Sequence, residues 1–270
     1  MKQVLVLGAG YTGKRVAARV RARGGEVLAW RRGDLDFSSE GAVEELARRA
    51  PEGCVVLHSV PSLAAGRDRT LLQGLEGRAA RVVYLSTTGV YGDVECVDHE
   101  TPVGPRNERE RARVATEEAV LHGPWEALVL RPAAIYGPGR GVHASMRMGK
   151  YRLLGDGSNF ISRIHVEDLA ALAEAALFTD VEGAFPVADR QPCPAREIAE
   201  YCAELLGLAP PVESSWEEVP ETRRTNRKVD GREVFARLGV AMRFPGYREG
   251  IAQALEVEGL ENLRAGETGG

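Results

Sequence analysis

At 270 residues with 44% hydrophobic side chains, the chain is long enough for one large α/β domain with a buried core, alone or with a smaller companion lobe. Its formal net charge of −4 gives no general attraction for nucleic acid or anionic lipid, and no apolar run approaches the roughly 20 residues needed to span a bilayer. The Met1–Leu7 stretch is too short for a secretion signal, and Cys54, Cys96, Cys193 and Cys202 lie scattered without zinc-ligand spacing, so a cytoplasmic chain with free thiols and no metal site is expected.

In chain order, apolar and β-branched runs at Gln3–Leu7, Glu26–Trp30, Cys54–His58, Arg81–Ser86, Glu126–Arg131 and Gly183–Ala188 read as strands. Runs this continuous suit a parallel sheet covered on both faces. Between them, Lys14–Arg23, Gly41–Ala50, Asn107–His122 and Val166–Phe178 have helical composition. The alternation predicts an α/β fold with a doubly wound parallel sheet, because right-handed crossovers place a helix between parallel neighbours. The interval from Trp30 to Gly41 is too short for a full crossover and predicts only a stripped-down strand at Leu35–Phe37. Residues 140–165 read as a loop-rich excursion with a turn at Gly155-Asp156-Gly157. Helices follow at Ala195–Leu206, at Asp230–Leu238 beyond a Pro210-Pro211 linker, and near Tyr247–Leu260, before a Gly-rich tail expected to fray.

Gly8-Ala9-Gly10-Tyr11-Thr12-Gly13 closes a strand and opens a helix. In that context the three glycines permit a tight turn, close approach of a pyrophosphate to the backbone, and close helix–strand packing. The helix start offers unpaired N–H groups to phosphate. A Rossmann-type dinucleotide site follows. The second strand ends in Arg31-Arg32, where an acidic residue would hold the ribose hydroxyls of NAD and an arginine accommodates the 2′-phosphate of NADP. NADP is favoured over NAD on this ground; a solvated surface pair is the plainer alternative.

Three longer motifs come next: Leu85-Ser86-Thr87-Thr88-Gly89-Val90-Tyr91-Gly92, Leu130-Arg131-Pro132-Ala133-Ala134-Ile135-Tyr136-Gly137-Pro138-Gly139, and Ile164-His165-Val166-Glu167-Asp168-Leu169. In this order they resemble the extended short-chain dehydrogenase/reductase superfamily, the NAD-dependent epimerase/dehydratases. The likeness runs the length of the chain. It implies a Rossmann sheet in residues 1–140, with 166–188 returning to it, and a smaller C-terminal substrate-binding lobe in the rest of 141–265.

The resemblance also implies a hydroxyl at Thr87 near the reacting oxygen, and a Tyr-x-x-x-Lys pair on the following helix. This chain departs there. Counting back from Glu117, which resembles the superfamily's glutamate on this helix, the tyrosine slot holds Arg109 and the lysine slot Arg113, and no tyrosine occurs between Gly92 and Leu121. Arginine stays protonated and has no proton to exchange, so it cannot serve as the acid/base. The missing pair and the short glycine loop resemble the atypical YeeZ-like branch of the superfamily.

The cofactor-binding candidates are thus Gly8, Gly10, Tyr11, Thr12, Gly13, Arg31, Arg32, Ser59 and Arg113. Arg109 is the substrate candidate, for a small anionic or sugar-like molecule. Arg109 and Arg113 either capture an anion or form a salt-bridge ladder with Glu117, Glu108 and Glu110. Thr87 and Tyr91 are the catalytic candidates, against backbone capping and packing as their plainer roles. His58 is either a core histidine or an acid/base, and His165 and Asp168 read as structural. Two functions remain open: an NADP-dependent oxidoreductase or epimerase, dimeric in the manner of the superfamily, and a sensor that binds NADP(H) without turnover.

Overall fold

The computed structural model describes residues 2–60, 67–215, 217–218 and 224–267, with only the backbone described at 68 and 260–267. The first half runs β1 (Val4–Leu7), α1 (Gly13–Ala22), β2 (Val27–Trp30), α2 (Ala42–Arg49), β3 (Cys54–His58), α3 (Arg67–Gln73) and β4 (Ala79–Leu85). A 3-10 turn (Thr88–Tyr91), β5 (Cys96–Val97), α4 (Glu108–Leu121), β6 (Glu126–Pro132) and β7 (Ala134–Tyr136) follow. Next come α5 (Val142–Arg147), β8 (Leu153–Leu154), β9 (Phe160–Ile161), β10 (Arg163–His165), α6 (Val166–Ala176) and β11 (Gly183–Val187). The chain closes with β12 (Cys193–Pro194), α7 (Ala195–Leu206), β13 (Glu213–Ser214), β14 (Lys228–Val229), α8 (Arg232–Arg237) and α9 (Tyr247–Glu267).

Six strands form one parallel sheet in the order β11-β6-β4-β3-β1-β2. Side chains alternate between its faces, as a period of two requires. Val4, Val6, Val55, Leu57, Val83, Leu128 and Leu130 face α1 and α6, while Leu5, Leu7, Val56, Val82, Tyr84 and Val129 face α2, α3 and α4. Burial on both faces is why these strands read as continuous apolar runs. Helices α1 and α6 are further joined by Arg15–Glu167 and by Arg19 and Arg23 on the buried Glu174.

The register aligns Leu7 with Trp30 and with His58, His58 with Tyr84, and Leu85 with Leu130. The glycine turn, Arg31, Ser59, Ser86-Thr87 and Arg131 therefore share one edge of the sheet. Strand order reverses at β1, since β2 lies on one side of it and β3 on the other, and ligands of open α/β sheets bind at such a switch point.

The strand expected at Leu35–Phe37 does not form. Asp36 accepts hydrogen bonds from the Ser38 N–H and hydroxyl, and this local turn competes with extended backbone. Leu35 and Phe37 still bury their side chains beside Trp30 and Leu46. The segment read as loop contains α5 and three short strands, and α9 runs past Leu260 to Glu267; the end of the tail expected to fray, 268–270, lies outside the described residues. Among the described residues no helix is long and apolar enough to cross a membrane.

Candidate functional site

At the end of β1, Gly8 adopts φ +87°, and a Cβ there would lie 2.7 Å from the Ser59 backbone. The chain leaving β3 thus presses directly on the turn. A Cβ on Gly13 would lie 2.6 Å from the Gly8 carbonyl oxygen. Gly10 differs: its nearest neighbour would be 3.9 Å away, so the protein itself leaves space above this residue. The Gly8 and Ala9 N–H groups donate to the Trp30 carbonyl, and Gly10 N–H donates to Gly8. No described residue accepts from the Tyr11 or Thr12 N–H, and the first turn of α1 carries no acidic side chain. Free N–H groups, the positive helix end and open room above Gly10 suit a diphosphate bridge. The residues present fit a dinucleotide.

Arg31 and Arg32 are exposed beside this turn, and Arg31 Nε donates to the Ala9 carbonyl at 3.1 Å. Ser59 contributes its backbone, its N–H donating to Leu7 at 2.8 Å. Tyr11 reaches across the edge: its hydroxyl donates to the Pro138 carbonyl at 3.0 Å, and the guanidinium groups of Arg15 and Arg140 lie over its ring. Burial pushes the Tyr11 phenol up to about 12, so it remains a donor at neutral pH.

A cleft of about 610 Å³ opens between the sheet edge, α4, α5, α7 and α9. Thr87, Arg109 and Arg113 line it. The Thr87 hydroxyl oxygen accepts the Gly89 N–H at 3.1 Å and caps the 3-10 turn, leaving its own proton to donate. The structure keeps Tyr91 out of the cleft. Its side chain is fully buried, and its hydroxyl accepts from Arg131 at 3.0 Å; burial raises its pKa. His58 is also enclosed outside the cleft lining, and burial, with the Arg113 charge, pulls it down to about 3, so it stays neutral.

The salt-bridge ladder along α4 does not form. Glu117 turns inward to Arg131 at 2.8 Å, and Glu110 pairs with Arg106 at 2.8 Å. Arg113 Nη1 instead donates to the Tyr84 hydroxyl. Arg109 is exposed and, among the described residues, pairs with no carboxylate. His165 accepts the Glu167 N–H at the start of α6, and Asp168 accepts the Arg243 and Phe244 N–H groups, joining α6 to the chain entering α9.

Sequence reasoning passed over other cleft groups. Ser86, beside Thr87 in the same motif, has a buried hydroxyl with no partner among the described residues, as have His143 Nδ1 and Asn159 Oδ1. Arg163 adjoins the Ile164-His165 motif and also lines the cleft. Motif adjacency was the available signal for Ser86 and Arg163; for His143 and Asn159 there was none.

Residues 4–186 match the sequence pattern of the NAD dependent epimerase/dehydratase family, which spans this turn, the cleft edge and the whole sheet. The chain belongs to that family. It is 26% identical to protein YeeZ of Escherichia coli strain K12 over 239 residues, 78% of this chain and 86% of YeeZ. It is 34% identical to a 3-diazoavenalumate denitrifying reductase of Streptomyces over 107 residues, 37% of this chain, and spans only 35% of that reductase. The UDP-glucose 4-epimerase of Thermus thermophilus, solved in complex with NAD, shares the fold at TM-score 0.78 and 21% identity, with 95% of this chain and 98% of the epimerase covered.

Proposed function

We propose that the chain is a cytoplasmic nicotinamide-dependent oxidoreductase or epimerase, favouring NADP(H), that acts on a small anionic or sugar-like molecule. The observation that carries this reading is the pair Arg109 and Arg113. Both face the cleft from α4 at the edge where a dinucleotide would end, and neither is neutralised by a carboxylate among the described residues. Residues 1–140 and 166–188 serve as the nucleotide half and the rest of 141–265 as the substrate lobe.

The bound cofactor supplies the hydride chemistry. The N–H groups of Tyr11 and Thr12 hold its diphosphate, while Gly8 and Gly13 shape the loop and Gly10 leaves it room. Arg31 and Arg32 receive the 2′-phosphate, and Ser59 walls the crevice. Arg113, braced on Tyr84, orients the cofactor's inner end. Arg109 attracts the substrate anion. The Thr87 hydroxyl donates a hydrogen bond to the reacting oxygen, with Ser86 beside it, and the arginines stabilise negative charge that grows there. Tyr91 supports the fold through Arg131 and takes no part in proton transfer.

The enclosure of Tyr91 also favours a second reading, a nucleotide sensor without turnover, because α4 carries no titratable phenol. Calorimetric titration of NADPH and NADH into wild type and Arg31→Ala, followed by absorbance at the reduced-nicotinamide band against aldehydes, ketones and nucleotide sugars, separates the cases. Preferential NADPH binding that Arg31→Ala abolishes, with oxidation by one substrate class, is the expected result. Binding without turnover selects the sensor, and no binding of either nucleotide overturns both.

A further inference from the structure

Four arginines are buried among the described residues: Arg81, Arg131, Arg163 and Arg227. A buried guanidinium with idle donors is costly, so each should have its hydrogen bonds made. Three do. Arg81 donates from all three nitrogens to Ala176, Glu126 and Val181. Arg131 places its nitrogens on Glu117 and Tyr91, and Arg227 places its own on the carbonyls of Val94, Thr88 and Gly92. These side chains are internal braces.

Arg163 breaks the pattern. It is only 4% exposed, yet a single nitrogen, Nη1, is engaged, with the Ile161 carbonyl at 2.9 Å and Cys193 Sγ at 3.2 Å. Nε and Nη2 donate to nothing among the described residues, and no carboxylate forms an ion pair with the group. Asp189, which feels the Arg163 charge, spends one oxygen on the Gln191 N–H and leaves the other without a partner among the described residues. Arg163 also lines the cleft, alongside Tyr136, Ile198 and Ile251 from the apolar cluster between β7, α7 and α9. A planar cation with two idle nitrogens, set where the cleft meets that apolar cluster, is matched by a planar or tetrahedral oxyanion.

We propose that Arg163 is the anchor of a second, inner anion subsite. It binds the carboxylate or phosphate of a small amphiphilic substrate whose hydrocarbon part lies against Ile198 and Ile251. This rests on the cleft being the substrate site; it adds that the substrate carries its acidic group at the lobe wall, on β10, rather than only at Arg109 on α4.

The test titrates orthophosphate, and separately isovalerate, into wild type, Arg163→Met and Arg109→Ala at constant ionic strength, with and without NADPH, by calorimetry and thermal melting. Wild type binds one of the two anions, and Arg163→Met weakens that binding about 10- to 100-fold, as loss of a charged hydrogen bond does. Arg163→Met otherwise melts at or above wild type in chloride and keeps its NADPH affinity, because methionine removes an uncompensated charge from an apolar wall. Response to phosphate alone assigns a phosphate ester; response to isovalerate alone assigns a carboxylic acid. The proposal is overturned if neither anion binds, if binding survives in Arg163→Met but not in Arg109→Ala, or if Arg163→Met melts well below wild type, which makes Arg163 another brace. Failure of NADPH to bind wild type would instead remove the cofactor reading, and the anion titrations without NADPH would still report on Arg163.

Discussion

The glycine turn and the cleft wall lie along the same edge of one sheet, but they are held in opposite ways. In the turn, backbone packs on backbone: Gly8 against Ser59 and Gly13 against Gly8, with Gly10 alone left uncrowded. In the cleft, polar side chains stand without partners among the described residues, including the Ser86 hydroxyl, His143 Nδ1, Asn159 Oδ1 and two nitrogens of Arg163. Behind that wall the polar groups are paired again, as Arg131 is with Glu117 and Tyr91. The contrast teaches that a shaped loop selects its ligand by exclusion, whereas the cleft selects by what its side chains lack.

The comparison can be broken most severely behind the wall. Glu117→Ala leaves Arg131 buried without its partner and should cost about 3–5 kcal/mol in denaturant unfolding, while a cleft with idle polar groups loses little when they are trimmed. In the turn, Gly8→Ala combines a left-handed φ with a backbone collision and should cost about 2–4 kcal/mol and abolish nucleotide binding in calorimetry.

Asp189 sharpens the picture by pH. Burial pushes its carboxyl up to about 7, against about 4 for an unfolded chain, so the native state holds the extra proton. The resulting penalty is absent below about pH 4 and grows as pH rises through about 7. Asp189→Asn should therefore stabilise the protein by about 2–3 kcal/mol near pH 8, with the gain vanishing on acidification, as followed by melting across pH.

Gly10→Ala tests the uncrowded glycine. Stability should hold or rise by up to about 1 kcal/mol, while nucleotide affinity falls about tenfold, since only the ligand needs that space. A fall in stability instead would place Gly10 with its neighbours. The smallest effect is expected at Arg109→Ala, within about 0.5 kcal/mol in stability because the side chain is exposed and pairs with no described carboxylate, with a rise in KM for an anionic substrate.

Much of this molecule is legible in its sequence. The six sheet strands lie where apolar runs had placed them, because strands buried on both faces leave an uninterrupted signature. Leu35–Phe37 misled, since apolar residues that bury without pairing look like a strand until the Asp36 turn is seen. Tyr91 and Glu117 misled for another reason. Both were judged by position on their own segments, yet each is claimed by Arg131, 40 and 14 residues away.

What the amino-acid order determined by itself was therefore periodic or contiguous: strands, helices, the glycine turn, and the arginines standing at 109 and 113. Tertiary structure alone decided which charges are neutralised and which are not. Arg131 and Arg163 are both buried arginines near a strand edge, and nothing local distinguishes them. One meets a carboxylate from α4, whereas the other faces an apolar wall and the open cleft. Pairing depends on which distant side chain arrives within a few ångströms, and only the completed fold brings those partners together.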